Sequence, residues 1–171
     1  MANYPQICAD LKKIKHNTDM LCALCAEHGV SIAAVTKVVC ADERIARVLE
    51  NSKAAMLADA RMENLARLQT KKPKLLLRAP APDEAEEAVA LADVSLVSEV
   101  ETIRALGKAA HAAGKTHAII LMIDLGDLRE GLLFLNREAI CRAADAAKAE
   151  KGIELLGVGT LFNHPVMPLV Y

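Results

Sequence analysis

A single lysine interrupts the apolar run Ile32-Ala33-Ala34-Val35-Thr36-Lys37-Val38-Val39-Cys40-Ala41, and Asp42 follows at once. An unbroken run of small and β-branched residues suits a strand buried on both faces, and Asp42 ahead of Glu43-Arg44-Ile45 suits a helix N-cap. Lys37 is therefore expected near the carboxyl end of an interior strand, just before a helix. An ammonium group there must be paired, reach solvent along its apolar stem, or be neutral and chemically used. Only the last option does chemistry: a neutral amine is the nucleophile that condenses with a carbonyl.

Further polar residues stand at comparable points, where apolar strand patterns give way to helical ones: Asp59, Arg78, Ser98, Asp124 and Thr160. In a parallel α/β protein that edge of the sheet is where ligands bind, with several strand ends contributing to one site. Ordinary capping is the alternative for any single member, above all for Asp59 and Ser98. Cys22-Ala23-Leu24-Cys25 with His28 could line up three soft ligands on one helix, but no second ligand cluster lies nearby, so no metal is expected.

The elements that must position these residues alternate almost without exception. A helix is expected from about Asp10 to His28, with Leu11, Ile14, Thr18, Leu21 and Cys25 on one stripe and Gly29 at its end. The strand holding Lys37 follows, then a helix from Asp42 to about Asn51. A strand over Ala54–Ala58 leads to a helix with Met62, Leu65 and Leu68, and Lys74–Ala79 forms the next strand. Pro80-Ala81-Pro82-Asp83 is a stiff loop into an acidic helix reaching Leu91, and Val94–Val97 is a fourth strand. Ser98-Glu99-Val100-Glu101 has the form of a capping box opening a helix that Gly114 stops. His117–Asp124 is the longest apolar strand, Asn136 opens an alanine-rich helix, and Ile153–Val158 is the sixth strand. Six strands separated by helices predict a parallel sheet with right-handed crossovers. Polar residues gathered at one rim favour a (β/α) TIM-type barrel over an open sheet, and six strands leave it incomplete, since a full barrel takes eight.

With 171 residues, 53% of them apolar, the chain is long enough for one domain, and its net charge of -1 argues against a nucleic-acid surface. No tryptophan and only two residues each of tyrosine and phenylalanine make the core aliphatic. No membrane span or signal peptide is apparent, and the five cysteines read as free thiols, so a cytoplasmic location is expected.

Several segments carry a more specific signal: Tyr4-Pro5-Gln6-Ile7, Lys15-His16-Asn17, Val35-Thr36-Lys37-Val38-Val39-Cys40, Asp59-Ala60-Arg61-Met62-Glu63-Asn64-Leu65, Leu76-Leu77-Arg78, Ser98-Glu99-Val100-Glu101-Thr102-Ile103 and Ile123-Asp124-Leu125-Gly126-Asp127-Leu128-Arg129-Glu130-Gly131. In order and spacing they resemble the alanine/ornithine racemase group, amino-acid racemases dependent on pyridoxal 5'-phosphate (PLP). The resemblance implies that Lys37 joins PLP as a Schiff base and then acts as the base on one face of the substrate. It also implies that Arg129 points at the cofactor's phenolic oxygen, a rim salt bridge with Asp127 or Glu130 being its alternative. Lys37, Arg129, Arg78, Asp59, Ser98 and Thr160 are the expected cofactor-binding residues, an amino acid is the expected small-molecule substrate, and the intact family is expected to be a homodimer.

Two departures bear on the substrate. Alanine racemases carry a tyrosine four residues after the lysine, where Ala41 stands, and a lysine two residues before the strand's aspartate, where Met122 stands; both point to the ornithine-racemase branch. The end differs more. Residues 1–160 resemble part of the PLP-binding barrel, 161–171 do not resemble the family, and its C-terminal β domain is absent, so a truncated, impaired racemase is expected. Open strand edges would make it unstable or self-associating and weak in PLP binding. The alternative is a PLP-homeostasis protein of the related single-domain barrel family, without turnover.

Overall fold

The computed structural model describes residues 5, 7–126 and 128–161. The resembling segment at Tyr4 and Gln6, the partner suggested for Arg129 at Asp127, and the tail from 162 onward lie outside them. In chain order the elements are α1 (Leu11–Ala26), β1 (Ala33–Val35), a 3-10 turn (Lys37–Val39), α2 (Glu43–Glu50), β2 (Met56–Asp59), α3 (Met62–Arg67) and β3 (Lys74–Leu76). A second 3-10 turn (Pro82–Glu84) then leads to α4 (Ala85–Leu91), β4 (Val94–Val97), α5 (Val100–Ala112), β5 (His117–Asp124), β6 (Leu132–Leu133), α6 (Arg137–Ala149) and β7 (Ile153–Gly159).

Short polar side chains start α1, α2 and α6 as the sequence suggests. Asp10, Asp42 and Asn136 each accept a hydrogen bond from a backbone N–H of the first turn, at 3.0 Å from Lys12, 3.1 Å from Arg44 and 3.1 Å from Ala139. Helices α3 and α4 start without a side-chain cap, on Arg61 and Glu84, and so does α5, where one was expected. Helix α5 starts at Val100 after an N-cap, Glu99, whose side chain makes no capping bond. The expected capping box is not formed because the Ser98 hydroxyl is drawn away to Glu130, 2.9 Å distant.

Every strand pairing is parallel, and the strands run in sequence order from β1 to β5, with β7 and the short β6 both against β5. Two apolar clusters decide between an open sheet and a barrel. One joins the strand residues Leu57, Leu76, Ile119 and Leu121 to helical residues such as Ala46, Leu49, Leu65, Val89, Ile103, Leu106 and Ala143. The other consists of strand and strand-end residues alone: Ala58, Leu75, Val94, Leu96 and Met122, with Ala33, Met56, Leu77, Ala118, Ile120 and Leu161 around them. Helices therefore cover one face only, and the other face packs on itself, as inside a barrel. The barrel is incomplete: among the described residues β1 pairs only with β2, and β7 only with β5.

Three further sequence expectations change. The strand before Lys37 is a three-residue edge strand rather than an interior one, and Val35 on its inner face is 41% exposed because nothing described pairs on its far side. Helix α1 buries Cys22, whereas Leu21, expected on its covered stripe, is 55% exposed beside exposed Met20 and Leu24. A seventh strand, β6, joins the six expected.

At the amino end of the sheet His117 is buried and its Nε2 lies 2.9 Å from Ser95 Oγ. Burial pushes its pKa down to about 4, against opposing pulls from the Asp93 charge and the Ala92 backbone. The folded protein thus prefers neutral His117, whereas the unfolded chain protonates it near the usual 6.5. Its stabilising contribution is complete above pH 6.5 and is lost as the pH falls from 6.5 to about 4. The expected loss across that window, about 3 kcal/mol, is measurable by denaturant unfolding at pH 7 and pH 4.5, with a shallower decline in His117→Asn.

Candidate site at the carboxyl rim of the sheet

Because every strand points the same way, Lys37, Asp59, Arg78, Ser98, Asp124 and Thr160 all lie at the carboxyl rim, at the ends of different strands. They are not alike in what they can touch.

Lys37 is exposed and opens the 3-10 turn beyond β1. Thr36 anchors that turn. Its N–H donates to the Ala58 carbonyl at 2.9 Å, and its own carbonyl accepts from Val39 N at 3.0 Å and Ala41 N at 3.3 Å. The turn then passes through two consecutive left-handed residues, Cys40 (φ 49°) and Ala41 (φ 54°), before Asp42 caps α2. Non-glycine residues take that conformation only when surrounding bonds hold them there.

Asp59 ends β2 in the row Asp59–Leu76–Ser95–Ile119, on the helix-covered side of the sheet rather than the inner face. It is fully buried, and its carboxylate accepts from Thr36 Oγ1 at 2.7 Å, Arg61 N at 3.0 Å and Asn64 Nδ2 at 3.0 Å. Those bonds satisfy the charge where it lies. Arg78, just beyond β3, forms a two-pronged ion pair with Glu84 at 2.6 and 2.7 Å and also donates to the Ala79 carbonyl at 3.2 Å. These bonds, with one from Ala81 N, hold the Glu84 carboxyl down at about 2, and Arg78 is raised in turn.

Ser98, beyond β4, ties the loop after β5 to the rim through Glu130. That loop carries Arg129, which is exposed. Its path is fixed at both ends: Asp124 Oδ1 accepts from Gly126 N at 2.8 Å, and Gly131, at φ 138°, passes so close to β5 that an added Cβ would lie 2.6 Å from Asp124 N. Thr160 follows β7 and is half-buried. The rim thus offers an exposed primary amine and an exposed guanidinium above an inner face lined by Ala58, Leu75, Leu96 and Met122. An amine, a cation for an anionic oxygen and an apolar wall fit a flat, negatively charged aldehyde. Sequence pattern alone does not mark Thr36 and Glu130 as site residues, although both lie within the family-like segments around Lys37 and Arg129.

Comparison with known proteins gives these features a context. The sequence model of the alanine racemase N-terminal domain matches residues 9–166. The ornithine racemase of Acetoanaerobium sticklandii is 38% identical over 157 residues, 91% of this chain and 44% of the relative. The lysine racemase of Thermotoga maritima is 30% identical over 163 residues, 94% of this chain and again 44% of the relative. Among solved structures, an alanine racemase of Clostridium difficile 630 superposes with a TM-score of 0.75 at 24% identity, over 90% of this chain and 40% of that one. The chain therefore spans less than half the length of these relatives.

The Arg78–Glu84 pair is half-exposed, which limits its energetic weight. Arg78→Gln is expected to cost about 0.5–1 kcal/mol at pH 7. Since the Glu84 pKa is lowered from 4.5 to about 2, the stability it confers is complete above 4.5 and fades as the pH falls toward 2. Thermal melts of both proteins at pH 7 and pH 2.5 should converge at the acid end.

Proposed function

Since the chain belongs to the alanine racemase N-terminal domain family, we propose that it is the barrel part of a PLP-dependent amino-acid racemase acting on a basic amino acid. The observation that carries this reading is the lysine turn at the carboxyl end of β1, set at the rim of an apolar inner face in a chain 38% identical to an ornithine racemase. Likeness to ornithine and lysine racemases, with Ala41 and Met122 where alanine racemases differ, supports a basic substrate over alanine.

Bound at this rim, PLP supplies an aldehyde and an electron-withdrawing ring that stabilises negative charge at the substrate Cα. The chain's own residues do the rest. Lys37 Nζ is the amine that would hold the cofactor, and the same amine would take the Cα proton, or return it, on one face. Arg129 holds the negative phenolic oxygen with its fixed fork of donors. Ser98, through Glu130, steadies the loop that presents Arg129, and Arg78 with Glu84 stiffens the loop after β3. The inner-face residues Ala58, Leu75, Leu96 and Met122 give the ring an apolar wall, with Thr160 at the margin beyond β7.

The test is an absorbance spectrum of the purified chain with added PLP, before and after borohydride, beside Lys37→Ala. A band bleached by borohydride and absent from Lys37→Ala is expected. Racemisation assays should then favour ornithine or lysine over alanine. Folded protein with no Lys37-dependent band would overturn the reading.

A further inference from the structure

We propose that Thr36 and Asp59 form a positioning pair that aims Lys37, so that Asp59 serves the site from beneath the turn rather than by touching a ligand. The inference rests on the proposed function and deepens it. Asp59 and Thr36 are both fully buried, and the 2.7 Å bond from Thr36 Oγ1 to Asp59 Oδ2 joins the ends of β1 and β2 directly below the lysine. The other carboxylate oxygen is anchored in turn by Arg61 N and Asn64 Nδ2 at the start of α3, so the acceptor cannot drift. Thr36 passes this constraint on: its carbonyl receives Val39 N and Ala41 N, closing the turn whose first residue is Lys37. Strand β1 stops at Val35, so the backbone bond from Thr36 N to the Ala58 carbonyl, 2.9 Å, is the last ladder contact before the turn, and the hydroxyl–carboxylate bond adds the side-chain constraint beyond it.

An exposed lysine on a loose loop would present its amine in many directions, whereas a lysine on a pinned turn presents it in few. The pair should therefore govern how selectively Lys37, among many lysines, captures an aldehyde at this rim. Selectivity for one lysine is a property that general loss of stability would not confer on another.

The experiment mixes the chain with PLP and reduces with borohydride, which supplies hydride and fixes the label as a secondary amine, the aldehyde oxygen leaving as water. Peptide mass spectrometry then compares Lys37 with Lys108, an exposed lysine on α5. Label should concentrate on Lys37 in the wild type and in Thr36→Ser, which keeps the hydroxyl. In Thr36→Val the Lys37:Lys108 ratio should fall about tenfold. Asp59→Ala removes the carboxylate to which Thr36 Oγ1 donates, so it should show the same fall and serves if Thr36→Val does not fold. Equal, high preference for Lys37 in wild type, Thr36→Val and Asp59→Ala overturns this inference and leaves the proposed function standing. No preference for Lys37 in the wild type overturns both.

Discussion

The constraint on which the structure depends is that every strand pairing is parallel. Parallel neighbours cannot be joined by a tight hairpin, so most strands are followed by a helix that carries the chain back to the amino end. All these helices lie on one face. Two consequences follow. The uncovered face must be apolar enough to pack on itself, which Ala58, Leu75, Val94, Leu96 and Met122 achieve with small and aliphatic side chains. And every strand delivers its last residues to the same rim, so polar groups far apart in sequence become neighbours in space.

At that rim the polar groups divide by what they bond. Thr36 with Asp59, and Ser98 with Glu130, are hydroxyl–carboxylate pairs spanning 23 and 32 residues of sequence. Each ties a strand end to the segment following a neighbouring strand. Arg78 with Glu84 closes a loop on itself. A buried carboxylate such as Asp59 is tolerable only when its acceptors are filled, and the three donors around it meet that demand. Polar pairs thus supply the rigidity, which leaves Lys37 and Arg129 as exposed groups on braced turns.

Much of this was legible from local signals. The alternation of apolar strands with capped helices gave the element order and the parallel sheet, and His117–Asp124 stands out as a strand because eight residues carry an unmistakable apolar run. The handover residues marked the rim. Long-range pairing was not legible. Ser98 has the local form of an N-cap, yet its hydroxyl bonds Glu130, a partner no window of a few residues contains. Strand β6 has two residues, too few for a period, and exists because Gly131 lets the backbone approach Ile123 and Asp124. Asp59 was legible as a polar strand end, but the face it points to depends on register with Leu76.

The position of β1 in the sheet explains why Lys37 differs from the desolvated lysine that the sequence suggested. An apolar run reads as buried on both faces only if strands flank it on both sides, and β1 has a described partner on one side alone. Solvent therefore reaches Val35, Lys37 and Val38 together. Exposure removes burial as the property that singles out Lys37 among the lysines, many of which are also exposed. What remains specific to it is the backbone: a 3-10 turn, two left-handed residues and a buried hydroxyl–carboxylate bond beneath. A covering of the inner face beside β1 would add desolvation to a geometry already fixed by Thr36 and Asp59, and the two contributions would be separable, since one acts on the charge of the amine and the other on its direction.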